Sequence, residues 1–161
     1  MKKKQIVTVV EEYNSINELT EIDRNLVYSA IKISENAYAK YSGFHVGAAL
    51  LLDDYTIVTG SNQENAAYPS GLCAERVALF YANSNFPDKK VVSLAIAAHI
   101  NGKLTDYPVP PCGACRQVIM ETIDRYGKPM KIIMAGKKSI QIIQDAQQLL
   151  PLKFDKNHLS F

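Results

Sequence analysis

Val91-Val92-Ser93-Leu94-Ala95-Ile96-Ala97-Ala98 is apolar at every position except Ser93. A strand with one wet face alternates, whereas an unbroken apolar run is expected of a central strand covered on both faces. The stretch therefore predicts an α/β protein with a sheet buried between layers of helix. Working outward, Val46-Gly47-Ala48-Ala49-Leu50-Leu51-Leu52 reads as a second buried strand. Asp53-Asp54 turns the chain, and Tyr55 to Gly60 returns as its hairpin partner. Downstream, Met130 to Ala135 and Ser139 to Ile143 predict two more strands joined by Gly136-Lys137-Lys138. Together these predict a five-stranded mixed sheet.

Helical spacing fills the gaps between strands. Ile22, Leu26, Ala30, Ile33 and Ala37 predict one amphipathic helix over 18–40, capped by Asn17 or Thr20 and ended by Tyr41-Ser42-Gly43. Apolar residues at 74, 77, 78 and 81 predict a helix over about 73–84, after an irregular loop at 61–72. A third covers about 113–126, stopped by Gly127 and Pro129, and Asp145 can cap a short last helix. Residues 5–10 are rich in β-branched side chains and predict a strand or an extended arm. No repeat or linker divides the 161 residues, so a single domain spanning 1–161 is expected, with 1–16 as an extension of no assigned role.

Composition narrows the function. A net charge of +2 gives no reason to expect a nucleic-acid partner, and Lys2-Lys3-Lys4 is too short a run for much counterion release. No apolar run approaches the roughly 18 residues of a membrane span, and Ile6 to Val10 is too short for a signal peptide. An odd count of three cysteines fits a reducing compartment. The expectation is a soluble, cytoplasmic protein with no membrane partner.

All three cysteines lie in two segments, Gly71-Leu72-Cys73-Ala74-Glu75-Arg76 and Pro111-Cys112-Gly113-Ala114-Cys115-Arg116. Cys112 and Cys115 have the spacing that lets two thiolates hold one ion, and Cys73 can supply a third. His45, His99 and His158 are poor candidates for a fourth ligand, since none is three or four residues from a cysteine. Three ligands without a fourth predict an open, catalytic zinc site rather than a structural one. Both segments begin helices, whose free N–H groups favour thiolates. Arg76 and Arg116 can offset the excess negative charge through N–H···S contacts; the plainer reading is that they solvate their helices. Glu75 can reach the metal beside Cys73 only if Cys73 sits ahead of regular helical geometry, because positions two apart do not share a face. Glu75 is then a general acid–base rather than a ligand. Two other classes stay open at this point: a C-x-x-C redox protein, which needs neither Cys73 nor Glu75, and a zinc-stabilised binding module, which wants a fourth ligand.

These motifs resemble the cytidine deaminases, in particular the small homotetrameric type whose zinc is held by three cysteines. The resemblance runs from about residue 20 to 154. Beyond Cys73-Ala74-Glu75-Arg76 and Pro111 to Gln117, it is carried by Tyr41 to Leu50, by Gly60 to Tyr68 and by Leu149-Leu150-Pro151-Leu152-Lys153-Phe154. It implies a three-layer α-β-α fold and one Zn²⁺ per subunit held by Cys73, Cys112 and Cys115. It implies hydrolytic deamination of cytidine and 2′-deoxycytidine to the uridines and ammonia, as in pyrimidine salvage. Glu75 would move the protons and contact the pyrimidine N3, and the Ala74 N–H would read the base edge. Asn62 and Glu64 would hydrogen-bond the ribose, and Phe44 would line the pocket. Tyr68 and Phe154 would come from neighbouring subunits of a homotetramer with shared sites. Pro110, Ala67 and Gln63 depart from the residues usual in the family. A related deaminase acting on a different amine, such as a modified pyrimidine nucleoside, is the second enzymatic reading.

Overall fold

A computed structural model, describing residues 1–159, shows the chain running β1 (Glu11–Tyr13), α1 (Glu21–Ile33), β2 (Phe44–Leu52), β3 (Ile57–Ser61), α2 (Ala74–Asn85), β4 (Val91–Ile100), β5 (Lys103–Leu104), α3 (Gly113–Tyr126), β6 (Lys131–Ala135) and β7 (Ile140–Ile143). The strands form one sheet in the order β1-β7-β6-β4-β2-β3, with β5 paired to the end of β4. Only β4 and β6 are parallel; the crossover between them is α3. The other pairs are antiparallel, so the sheet is mixed as expected.

Alternate residues of the central strands face different helices. Ala48, Leu50 and Leu52 of β2, Leu94 and Ile96 of β4, and Ile132 and Met134 of β6 pack with α2 and α3. Their neighbours Ala49, Leu51, Ala95, Ala97, Ile133 and Ala135 pack with Leu26, Val27 and Ala30 of α1. This is the three-layer α-β-α arrangement, and each fully buried Leu or Ile stabilises it by about 1.5–3 kcal/mol. Two glycines let the helices approach closely. A Cβ on Gly47 would lie 2.0 Å from the Ala30 carbonyl oxygen, and one on Gly60 would lie 2.6 Å from the Ala78 nitrogen.

The sheet has seven strands, two more than the apolar runs predict. Neither addition has an apolar run to announce it. β1 is Glu11-Glu12-Tyr13, added to the β7 edge by its backbone ladder and by Gln141 Nε2 donating to Glu12 Oε2 at 3.0 Å. β5 is two residues closing a hairpin whose turn, Asn101-Gly102, has both residues at positive φ. The N-terminal strand is therefore at 11–13 rather than within 5–10. The first helix is also shorter than the predicted 18–40. Thr20 caps its start by accepting the Asp23 N–H at 3.2 Å. It closes into a 3-10 turn at Ser34–Asn36, where Ser34 Oγ donates to the Ile31 carbonyl and lies 2.8 Å from His99 Nδ1. Ala37, although in helical register, lies in extended backbone. α3 ends on Gly127 at φ 62°, as the stop signal predicts. Among the described residues, no helix is long and apolar enough to cross a membrane.

Candidate active site

Cys73 and Cys112 occupy equivalent positions in the fold. Each is the residue just ahead of a helix, α2 or α3, with extended backbone (φ −71°, ψ 153° and φ −66°, ψ 167°) and no side-chain capping bond. The two helices pack on the same face of the sheet, which brings their N-termini together. Cys115, in the first turn of α3, is fully buried. Cys73 Sγ lies 3.8 Å from Cys112 Sγ, and Cys112 Sγ lies 3.4 Å from Cys115 Sγ. All three sulfurs fall within 4.8 Å of one another.

These separations fit a single tetrahedral zinc, because metal–sulfur bonds of about 2.3 Å put neighbouring sulfurs roughly 3.8 Å apart. The charge distribution fits as well. Cys73 is drawn down to about 5, chiefly by its hydrogen bond with Cys115 and further by Arg76 and Cys112. The same bond to Cys73, together with burial, pushes Cys115 upward. The opposite shifts belong to one coupled pair, in which a thiolate on Cys73 is stabilised while Cys115 keeps its proton. A bound cation would let both ionise. Arg76 Nη2 lies 3.9 Å from Cys73 Sγ and 3.5 Å from the Gly71 carbonyl, and its Nε is buried without a hydrogen-bond partner among the described residues. An arginine here offsets part of the negative charge of the sulfur cluster.

Arg116 does not repeat this arrangement. Its Nε donates to the Pro111 carbonyl at 2.9 Å and its Nη1 to the Leu149 carbonyl at 3.0 Å. The sequence spacing that suggests a contact with sulfur is corrected by direction: one residue past Cys115, the side chain leaves α3 toward the C-terminal segment.

Glu75 is 4% exposed and lines a cavity of about 660 Å³, together with Cys73, Cys112 and Arg76. Burial raises its pKa first, and the charge of Cys73 adds to the rise. A carboxyl so placed takes up and releases a proton more readily near neutrality than an exposed one. Ala74 is fully buried at the first position of α2, so its N–H is one of the helix's unpaired amides. The cavity has the size of a small-molecule site.

Phe44, Asn62, Glu64 and Tyr68 line the same cavity. The Asn62 amide bridges backbone on β2, accepting the Val46 N–H at 2.7 Å and donating to the Phe44 carbonyl at 2.9 Å. One amide proton and one lone pair are left over from those two bonds. Glu64 accepts from the Tyr41 N–H at 2.7 Å and from Ser42 Oγ and N–H; the Ser42 hydroxyl is the chief cause of its lowered pKa. Tyr68 is 77% exposed at the cavity mouth and meets Tyr41 edge-on, ring centres 6.3 Å apart. Phe154 stands outside the cavity of its own chain. Its ring stacks on His158, and its carbonyl accepts from Gln117 Nε2 at 2.9 Å.

Among the departures, Pro110 lines the cavity, Ala67 donates its N–H to Asn65 Oδ1, and Gln63 exchanges both backbone bonds with Leu72. Sequence reasoning gave no site role to Tyr41 and Ser42, read as a helix stop and as part of a family-like segment, or to Ile96, read as core; all three line the cavity. The signal for Ser42 was its hydroxyl beside a glycine turn, which becomes meaningful only once Glu64 is known to face it.

Three thiols around one point, a buried carboxyl beside them and a cavity of small-molecule size define a zinc-binding hydrolytic site on an α-β-α fold. The family described as the cytidine and deoxycytidylate deaminase zinc-binding region matches residues 20–126. A cytidine deaminase of Sporosarcina psychrophila is 41% identical over 136 residues, covering 84% of this chain and 93% of its own. One of Halalkalibacterium halodurans is 50% identical over 96 residues, covering 60% of this chain and 68% of its own. The crystal structure of cytidine deaminase from Burkholderia pseudomallei superposes with a TM-score of 0.70 at 35% identity, covering 84% of this chain and all of that one. The chain belongs to the cytidine and deoxycytidylate deaminase family.

Proposed function

We propose that this protein hydrolyses cytidine and 2′-deoxycytidine to the corresponding uridines, releasing ammonia, as a step of pyrimidine salvage. The observation that carries the reading is Glu75: a buried carboxyl of raised pKa on the wall of a nucleoside-sized cavity, beside three converging sulfurs. Cys73, Cys112 and Cys115 would hold one zinc ion per subunit, which supplies Lewis-acid chemistry that makes water nucleophilic near neutral pH.

Glu75 takes the proton that the water loses as its oxygen bonds to C4 of the pyrimidine. The same carboxyl delivers that proton to N3, then takes the second proton from the new C4 hydroxyl and passes it to the amine, which leaves as ammonia when the C4–N bond breaks and the C4 carbonyl forms. Burial serves this work, since a carboxyl held above its ordinary pKa can both accept and return a proton. The Ala74 N–H fixes the base edge, and Phe44 packs on the pyrimidine and sugar. Asn62 and Glu64 hold the 3′-hydroxyl, with the ionised Glu64 as acceptor. That contact is common to both sugars, so it supports activity on both nucleosides.

The position of Phe154, exposed and apart from its own cavity, supports a homotetramer in which Phe154 completes a neighbour's site, whereas Tyr68 lines the cavity of its own chain. Three cysteines with no disulfide among them support a reducing compartment such as the cytoplasm for the working enzyme. The test is ammonia release and loss of cytidine absorbance with purified, zinc-loaded protein, run beside a panel of modified pyrimidine nucleosides. Turnover of cytidine is expected; zinc-loaded protein that releases ammonia only from a modified nucleoside would favour the related deaminase reading.

A further inference from the structure

The N-terminal arm, residues 1–10, lies outside the family-matched residues 20–126 and donates two hydrogen bonds to Gln148. Thr8 Oγ donates to the Gln148 carbonyl at 2.9 Å, and the Val9 N–H donates to Gln148 Oε1 at 2.7 Å. The arm is anchored next to them by β1, where Gln144 Nε2 also donates to Glu11 Oε2 at 2.9 Å. Residue 149 is held from the opposite side. Its carbonyl accepts from Arg116 Nη1, and the same guanidinium holds the Pro111 carbonyl, one residue before Cys112. A continuous chain of bonds thus runs from the arm, through Gln148 and Leu149, across Arg116, to the segment carrying a sulfur of the metal site.

Cys112 needs such support more than its partners. Cys115 is fixed inside a helical turn and Cys73 is half-buried, whereas Cys112, just ahead of α3, is the exposed member of the cluster. A planar guanidinium gripping two carbonyls is suited to hold that segment in one position, in a way that the point charge of a lysine is not.

We propose that the N-terminal arm is a brace for the metal site, acting through Gln148 and Arg116 to hold Cys112 in place and slow loss of the ion. The brace rests on the reading of Cys112 as a metal ligand. Gln148, Arg116, Thr8 and Val9 are positioning residues in it, since none touches the substrate.

The test uses full-length zinc-loaded protein and follows transfer of zinc to an excess of a chromophoric chelator. Gln148→Ala, which loses the acceptor for the Val9 N–H, and Val9→Pro, which loses the donor, should each release zinc faster, by up to about tenfold, the low end of what loss of a partner bonded directly to a ligand costs. Gln148→Glu keeps a carboxylate acceptor and should release zinc at the wild-type rate. Cobalt-loaded samples of all three should keep the thiolate-to-metal absorption of the wild type, since the ligands themselves are unchanged. Equal release from Gln148→Ala and wild type would overturn the brace. So would faster release shared by Gln148→Glu, because a general loosening is not rescued by restoring one acceptor. Wild-type protein that takes up no zinc is a separate result, and it overturns the metal centre itself.

Discussion

Cys73 and Cys112 sit at the same position of two different helices, each just ahead of the first turn, with their sulfurs 3.8 Å apart. Serine is a better helix cap than cysteine, because its hydroxyl accepts an unpaired N–H. Cys112→Ser should therefore fold as well as the wild type while losing zinc. Metal analysis of the purified variant, with its unfolding curve, checks both halves; a full complement of zinc would remove Cys112 from the ligands.

Glu75→Gln preserves the shape of a side chain that is 4% exposed, so the fold and the zinc content should survive. Proton transfer should not, and kcat is expected to fall by at least the roughly 10²–10⁴-fold attributed to general acid–base catalysis. Steady-state kinetics on cytidine, normalised to bound zinc, measures the loss. Turnover within a few-fold of wild type would dismiss Glu75 as the proton carrier.

Glu64 has a pKa lowered by the Ser42 hydroxyl, the Tyr41 N–H and the Ser42 N–H. A carboxylate depressed in the folded state contributes stability above its unfolded pKa of about 4.3 and loses that contribution as pH falls through the folded value. Glu64→Gln should thus be less stable than the wild type at pH 7, and the two unfolding curves should converge as the pH drops below the ordinary carboxylate range. Its KM for cytidine should rise as well, since the bonds to Tyr41 and Ser42 and the proposed sugar contact use the same two oxygens.

Gly47→Ala puts a methyl group where the Ala30 carbonyl oxygen would be 2.0 Å away, with the Ser34 nitrogen at 2.7 Å. Both obstacles are backbone, so α1 has to shift off the sheet. Overpacking of this kind costs about 1–3 kcal/mol, and a lowered Tm of the zinc-loaded protein is the expected readout. An unchanged Tm would show that α1 is free to move.

Much of the fold was legible in residue patterns. The unbroken apolar run around Leu94 and Ile96 announced a strand buried on both faces, and the structure packs those residues toward α2 and α3 and their neighbours Ala95 and Ala97 toward α1. Gly127 stopped α3 where expected. What had no pattern was missed: Glu11-Glu12-Tyr13 is polar, and its pairing with β7 is long-range. The first helix was overextended because Ala37 keeps the spacing, whereas the local bonds of Ser34 end the helix first.

The sequence by itself determined the chemical groups of the candidate site: three sulfurs, one carboxyl and two arginines, in residue types whose chemistry restricts what they can do together. That is a property of composition and short spacing, and it survives without coordinates. Only the tertiary structure decided direction. It turned Arg76 toward Cys73 and Arg116 toward Pro111 and Leu149, although both follow a cysteine within a helical turn. It also joined the N-terminal arm to Gln148, across 139 and 140 residues of chain. Side-chain direction and long-range closure depend on which surfaces the packed sheet leaves within reach, and local sequence does not contain that information.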